Sequence, residues 1–113
     1  MHEYSITCSI IEILYDLIKK YNIKKLKKVS FEISPLAQIE PQSIEFYYNF
    51  MTKENGTLKG AGLEFKKGKI KFECKTCEKY FTSENLISNC IYCSGEKIKA
   101  TDIDDIKIIS IEA

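Results

Sequence analysis

The sequence predicts an α+β fold, with two helices, a small sheet of three to four strands, and a cysteine-bearing module inserted before the last strand. Three observations support it. Apolar residues recur at helical spacing near the amino terminus and again after residue 41. Each of those segments is followed by a short stretch in which apolar and polar residues alternate. Four cysteines then fall in two CxxC pairs in the second half of the chain.

The first predicted helix runs from about Ser5 to Tyr21. Its inner face combines apolar residues at helical spacing, namely Ile10, Leu14, Leu17, Ile18 and Tyr21. Ser5 or Thr7 is expected to provide the N-cap, because a hydroxyl oxygen accepts a hydrogen bond from a first-turn N–H group. Residues 22–28 are polar and basic, and they are predicted to form a loop.

The spacing of apolar residues changes at residue 29. Residues 29–33 alternate as in a half-buried strand, which is expected to end at Pro35. A second helix is predicted to begin with Pro41 in its first turn and to end near Met51. After an Asn-Gly turn, residues 61–65 alternate again and predict a second strand.

The tail from Ile106 to Ile111 is rich in isoleucine and is predicted to return to the first core as the final strand. Its alternation slips between Ile108 and Ile109, which indicates either two buried faces or a bulge. The predicted domains are therefore residues 1–69 together with 98–113, and an inserted module at residues 70–97.

Composition excludes several classes of function. The formal net charge is +1 and all 17 basic residues are lysines, so neither a nucleic-acid nor a membrane partner is expected. No run is long enough to span a bilayer, and the apolar stretch from residue 6 to 18 contains two acids, unlike a signal peptide. A cytoplasmic location is expected, where thiols stay reduced and five cysteines favour metal binding or catalysis over disulfides.

The cysteine quartet predicts a zinc site. The pairs Cys74–Cys77 and Cys90–Cys93 are separated by the twelve residues 78–89. Each CxxC turn directs two thiolates to one point, and the loop between them completes a tetrahedron. An iron–sulfur cluster and a redox CxxC are the alternative interpretations. Four protein ligands leave zinc no open position, so a structural role is expected rather than hydrolytic catalysis.

The amino terminus predicts a second metal site. His2 is the only histidine of the chain, although a single terminal histidine is common by chance. The α-amine of Met1, the backbone amide of His2 and its imidazole can surround one ion in fused chelate rings. Such an all-nitrogen set favours nickel or copper. Glu3 is expected either to add an oxygen ligand or to hold the imidazole.

The start MHEYS, the helix behind it and the paired CxxC motifs together resemble the HypA/HybF hydrogenase nickel incorporation proteins. The resemblance covers essentially the whole chain. It implies a nickel metallochaperone, not an enzyme, that helps load nickel–iron hydrogenase, and urease in some organisms. It implies His2 as the principal nickel ligand, with the Met1 amine and Glu3 beside it. The implied partners are the hydrogenase-maturation GTPase, the hydrogenase large subunit and urease maturation proteins.

A different class of function stays open on the residues alone. A zinc ribbon that binds protein or nucleic acid would need only the four cysteines, with the Met-His-Glu start incidental. Near-zero net charge and the lack of arginine argue against the nucleic-acid version, because phosphate contacts need concentrated positive charge. The fifth cysteine, Cys8, is predicted to be a partly buried apolar residue of the first helix.

Overall fold

The structure, a computed structural model, describes residues 3–101 and 105–113. Met1 and His2, two of the predicted nickel ligands, lie outside these residues. The described residues form helices α1 (Glu3–Lys20) and α2 (Pro41–Thr52), and strands β1 (Lys28–Ile33), β2 (Gly62–Lys67), β3 (Ile70–Cys74), β4 (Tyr80–Ser83), β5 (Ile98–Ala100) and β6 (Ile106–Glu112). The α+β prediction is confirmed. Neither described helix is long and apolar enough to cross a membrane.

The chain divides into two compact units. Unit 1 comprises Met1–Phe31, Ile39–Lys66 and Ile108–Ala113, and unit 2 comprises Glu32–Gln38 and Lys67–Lys107. The domain boundaries expected from the sequence, 69/70 and 97/98, stay a prediction.

Helix α1 differs from the sequence prediction at its start. It already includes Glu3, so neither Ser5 nor Thr7 is its N-cap. The Thr7 hydroxyl instead donates a hydrogen bond of 2.6 Å to the Glu3 carbonyl oxygen one turn earlier. A threonine inside a helix has this alternative to capping. The predicted N-cap was therefore wrong, because the hydroxyl that suggested a cap is satisfied within the helix.

The end of α1 is a Schellman motif. Asn22 adopts a left-handed conformation with φ 54°, which asparagine tolerates better than most residues. The N–H of Ile23 then donates to the carbonyl of Ile18 at 2.9 Å, and the N–H of Asn22 to that of Lys19 at 3.4 Å. This pair of hydrogen bonds ends the helix and satisfies two of its last carbonyl groups.

Unit 1 is built on a three-stranded sheet in the order β2-β1-β6. The central strand β1 has a run of three buried residues, and Phe31 stacks on Phe65 of β2 at 5.1 Å between ring centroids. The core also takes apolar side chains from both helices and the following loops, namely Ile10, Ile11, Leu14, Leu26, Val29, Phe31, Ile44, Tyr48, Leu58 and Ala61. In β6 the half-buried positions are Ile106, Ile108 and Ile111, so the alternation slips after Ile108.

Unit 2 contains a second three-stranded sheet, in the order β4-β3-β5. Strand β3 lies at its centre and pairs antiparallel with both neighbours, with Phe72 opposite Phe81 on one side and Ala100 on the other. Phe72 and Phe81 stack at 5.3 Å. Two of the cysteines complete the core around them, which consists of Ile70, Phe72, Cys74, Phe81 and Cys90. Two of the metal-ligand candidates, Cys74 and Cys90, are therefore part of the hydrophobic core, and Cys77 packs against it.

Candidate metal centre

The four cysteines of the paired CxxC motifs converge on one point. All four Sγ atoms lie within 4.8 Å of one another. The Sγ atoms of Cys74 and Cys93 are 3.6 Å apart, and those of Cys77 and Cys90 are 3.7 Å apart. Thiolates about 2.3 Å from a tetrahedral zinc ion are about 3.8 Å apart, so the arrangement fits one such ion. Within residues 3–101 and 105–113, this is the only such group of three or more possible metal ligands.

The two CxxC turns have the same local structure. In the first, the N–H of Glu78 donates to the carbonyl of Cys74 at 3.0 Å, and in the second the N–H of Ser94 donates to that of Cys90 at 3.0 Å. Glu78 and Ser94 both adopt left-handed conformations, with φ 61° and 62°. The chain therefore reverses directly after each pair of cysteines, which aims both thiols of the pair to the same side.

Backbone N–H groups point at the sulfur atoms. The N–H of Cys77 lies 3.5 Å from Cys74 Sγ, and the N–H of Tyr92 lies 3.3 Å from Cys90 Sγ. The Cys77 amide is the largest cause that lowers the pKa of Cys74, to about 6. Hydrogen bonds to sulfur stabilise the thiolate, which is the form that binds metal.

The four thiols cannot all ionise easily without a cation. The Lys79 amide acts to lower the pKa of Cys77, but burial and the neighbouring cysteine thiols outweigh it and raise that pKa to about 11. Like charges in one site oppose each other's ionisation, and a bound dication reverses this effect. The cluster is therefore suited to a divalent ion, and the donor chemistry agrees with the geometry.

The cysteines differ in burial. Cys74 and Cys90, the first of each pair, are 0% and 3% exposed. Cys77 is half-buried and Cys93 is exposed. Cys8 lies half-buried on α1 and does not belong to the quartet.

The two lysines of the first CxxC turn have partners of their own. Lys75 Nζ lies 2.5 Å from a carboxylate oxygen of Glu73. Lys79 Nζ lies 5.0 Å from the centre of the Tyr92 ring, a cation–π distance. The Tyr80 hydroxyl donates to the second carboxylate oxygen of Glu73 at 2.6 Å. Lys75 is thus paired with Glu73.

Gly95 is a residue of the centre that the cysteine pattern did not indicate. Its carbonyl accepts a hydrogen bond from the Cys90 N–H at 2.8 Å. A Cβ atom at Gly95 would lie 3.2 Å from Cys93 Sγ and 3.3 Å from Thr76 Oγ1. The only sequence signal was its place two residues after the last cysteine.

Gly95→Ala is expected to weaken zinc binding about tenfold, as changes to groups that support metal ligands commonly do. The physical reason is that the added methyl group must displace Cys93 Sγ or Thr76 by a few tenths of an ångström. Competition with a chromophoric chelator measures the affinity. Gly56→Ala is the matched control, because nothing lies within 4 Å of its Cβ position. Equal affinities in the two variants would show that the close approach at Gly95 does not constrain the site.

The residues of the predicted amino-terminal site are described only in part. Met1 and His2 lie outside the described residues. Glu3 is buried, with 6% of the residue exposed, and its Oε2 atom accepts a hydrogen bond from the Glu40 N–H at 3.2 Å.

Comparison with known proteins agrees with this geometry. Residues 1–113 match the family described as "Hydrogenase/urease nickel incorporation, metallochaperone, hypA". The hydrogenase maturation factor HypA of Caldanaerobacter subterraneus subsp. tengcongensis is 35% identical over 98 residues, which are 87% of this chain and 85% of that protein. The protein of the same name from Psychromonas ingrahamii is 32% identical over 112 residues, 99% of this chain and 97% of that protein.

The fold has a solved counterpart. The solution structure of the nickel metallochaperone HypA from Helicobacter pylori superposes with a TM-score of 0.77 and 25% identity, covering 99% of this chain and 97% of that one. The family match spans every residue of the chain and includes the four-cysteine metal-binding site. The chain therefore belongs to the HypA family, the nickel metallochaperones of hydrogenase maturation.

Proposed function

We propose that this protein carries Ni²⁺ at its amino terminus for nickel–iron hydrogenase, while its four cysteines hold a structural Zn²⁺. The observation that carries the proposal is the closed thiol quartet, whose Sγ atoms all lie within 4.8 Å of one another. A tetrahedral ion bound by four protein ligands has no position for exchange with a partner. A nickel cargo therefore needs a separate set of ligands.

Zinc is favoured at the quartet for reasons of spacing and of core packing. Sγ separations of 3.6 and 3.7 Å suit one ion, whereas an iron–sulfur cluster puts several irons and sulfides between its thiolates and holds them farther apart. A redox pair exchanges a disulfide within one CxxC, but here the Sγ contacts of 3.6 and 3.7 Å join cysteines of different pairs. Bound zinc would cross-link the two turns and complete the core of unit 2.

Nickel is assigned to the Met1 amine and the His2 imidazole, with the His2 amide nitrogen between them. These are nitrogen donors, which nickel accepts in square-planar or tetragonal geometry. For Glu3 the sequence leaves two roles open, an oxygen ligand or a partner that holds the imidazole. Protons compete for the amine and the imidazole, so nickel affinity should fall as the pH drops below neutrality. Loose, pH-sensitive binding suits a carrier that must give up its ion.

The proposed partners are those that the family resemblance suggests. We propose a hydrogenase-maturation GTPase as the direct partner and the large subunit of nickel–iron hydrogenase as the recipient, with urease maturation proteins as a second client. A cytoplasmic location, where thiols stay reduced, is part of the proposal. Relatives named hydrogenase maturation factor, at 35% and 32% identity, support the hydrogenase assignment.

Blocking the terminal amine tests the nickel site. Extending the chain by a few residues before Met1 removes the free amine from the chelate and should weaken nickel binding by about tenfold or more. Isothermal titration of the zinc-loaded protein measures it, with the native terminus as the reference. Cys8→Ala with a native terminus is the control and should bind nickel as the wild type does. Equal affinity with and without the extension would favour the alternative, a zinc-ribbon module with no nickel role at this terminus.

A further inference from the structure

The carboxylate of Glu3 is buried at the start of α1. Only 6% of the residue is exposed, and a buried charge persists only where hydrogen bonds or an opposite charge compensate it. Its Oε2 atom accepts a hydrogen bond at 3.2 Å from the backbone N–H of Glu40, which is 37 residues away in the sequence. The side chain therefore points from α1 to the start of α2.

Helix α2 lacks a cap from its own sequence. Its N-cap residue Glu40 makes no side-chain capping hydrogen bond, Pro41 follows it, and the first turn contains no acidic residue. The N–H groups at a helix start have no intrahelical acceptors and carry a partial positive charge. In a capping box a glutamate of the same helix accepts from the N-cap N–H. Here Glu3 makes that contact from the neighbouring helix.

Glu3 is held on its backbone side as well. Its carbonyl oxygen accepts the hydrogen bond of 2.6 Å from the Thr7 hydroxyl, and Thr7 is fully buried. The first turn of α1 is thus attached to α2 through the side chain of Glu3 and to its own second turn through the main chain. These hydrogen bonds restrict both the side chain and the backbone of Glu3, which directly follows the proposed nickel ligands in the sequence.

We infer that the Glu3 side chain is a positioning group for nickel: it fixes the first turn of α1 against the start of α2, and its carboxylate is not a ligand of the ion. The inference rests on the proposed nickel site at Met1 and His2, and assigns the role of the third residue of that motif. A chelate at a chain terminus binds more tightly when the residue behind it is already ordered, because less conformational freedom is lost on binding. Groups that orient metal ligands commonly change metal affinity by about 10–100-fold.

Three variants separate positioning from ligation. Glu3→Ala removes the acceptor, Glu3→Gln keeps an acceptor oxygen but removes the charge, and Glu12→Ala removes an exposed glutamate of the same helix as the matched control. The first measurement is the hydrogen-exchange rate of the Glu40 amide in the zinc-loaded, nickel-free protein, by NMR. The second is the nickel dissociation constant, and the third is the visible absorption spectrum of the bound nickel.

If Glu3 positions the nickel ligands, the Glu40 amide of Glu3→Ala should exchange about tenfold faster and nickel should bind about tenfold more weakly. The absorption spectrum of the bound nickel should not change. Glu3→Gln should restore both quantities to within about threefold of the wild type, because its amide oxygen still accepts the hydrogen bond. Glu12→Ala should match the wild type throughout.

One result would contradict the positioning role of Glu3, and a different result would contradict the nickel site itself. If both Glu3 variants lose nickel equally and change the spectrum while Glu40 exchange stays at the wild-type rate, Glu3 is a nickel ligand and the positioning role is wrong. If nickel binding by the wild type does not depend on His2, the proposed nickel site itself is wrong. The exchange measurement needs no nickel, so it still decides in that case whether Glu3 holds the start of α2.

Discussion

Replacing Cys74 with alanine is expected to release the zinc ion and to unfold the cysteine-bearing part of unit 2. Cys74 is fully buried and packs with Ile70, Phe72 and Phe81 in the core of this unit. The unit has few other buried apolar side chains, so much of its stability should come from the metal. Structural zinc contributes about 10–16 kcal/mol of apparent binding free energy in zinc-finger peptides. Losing one of four thiolates should remove most of that contribution.

Zinc content by atomic emission and tryptic cleavage between residues 70 and 100 measure this result. Cys8→Ala is the matched control, since Cys8 lies on α1 and outside the quartet, and it should keep one zinc ion per chain. The helices α1 and α2 belong to unit 1, so the helical circular dichroism signal should survive in Cys74→Ala. A Cys74→Ala protein with full zinc content and wild-type thermal stability would rule out the structural role.

His2→Ala should strongly weaken nickel binding while zinc content stays at one ion per chain. The chain has no second histidine, so no other imidazole can take the place of this ligand. A loss of about 100-fold in affinity, or roughly 2.7 kcal/mol, is the expected size for removing a principal ligand. Titration with nickel in the presence of bound zinc measures it.

One outcome of the His2→Ala experiment would contradict the proposed nickel site. If His2→Ala binds one nickel with wild-type affinity, the ion is held elsewhere and the proposed site is wrong. Glu12→Ala is again a suitable control because this glutamate is exposed on α1. Its nickel affinity should not change.

The parts of the fold that could be predicted are those with long, periodic segments. Both helices and the strands β1, β2 and β6 were predicted from apolar spacing, with boundaries within a few residues. Strands β3, β4 and β5 were not predicted, because they have only five, four and three residues. The place of β4 and β5 is set by pairing with β3 on either side, and such pairing leaves little trace in a short segment.

The candidate sites divide in the same way. The cysteine quartet could be predicted from the sequence because CxxC spacing is a local property that itself brings two thiols together. The left-handed conformations of Glu78 and Ser94 could not be predicted, since neither is a glycine. The contact of Glu3 with the Glu40 N–H could not be predicted either, because it joins residues 37 positions apart and depends on how α1 packs on α2.

Nickel and zinc should occupy different sets of ligands, and X-ray absorption on one doubly loaded sample tests this separation. The protein with a native amino terminus is loaded with one zinc and one nickel, and both metal edges are measured. We expect four sulfur ligands at zinc and only nitrogen or oxygen ligands at nickel, including one imidazole. Nickel with sulfur from the cysteine quartet, or zinc with fewer than four sulfurs, would contradict it.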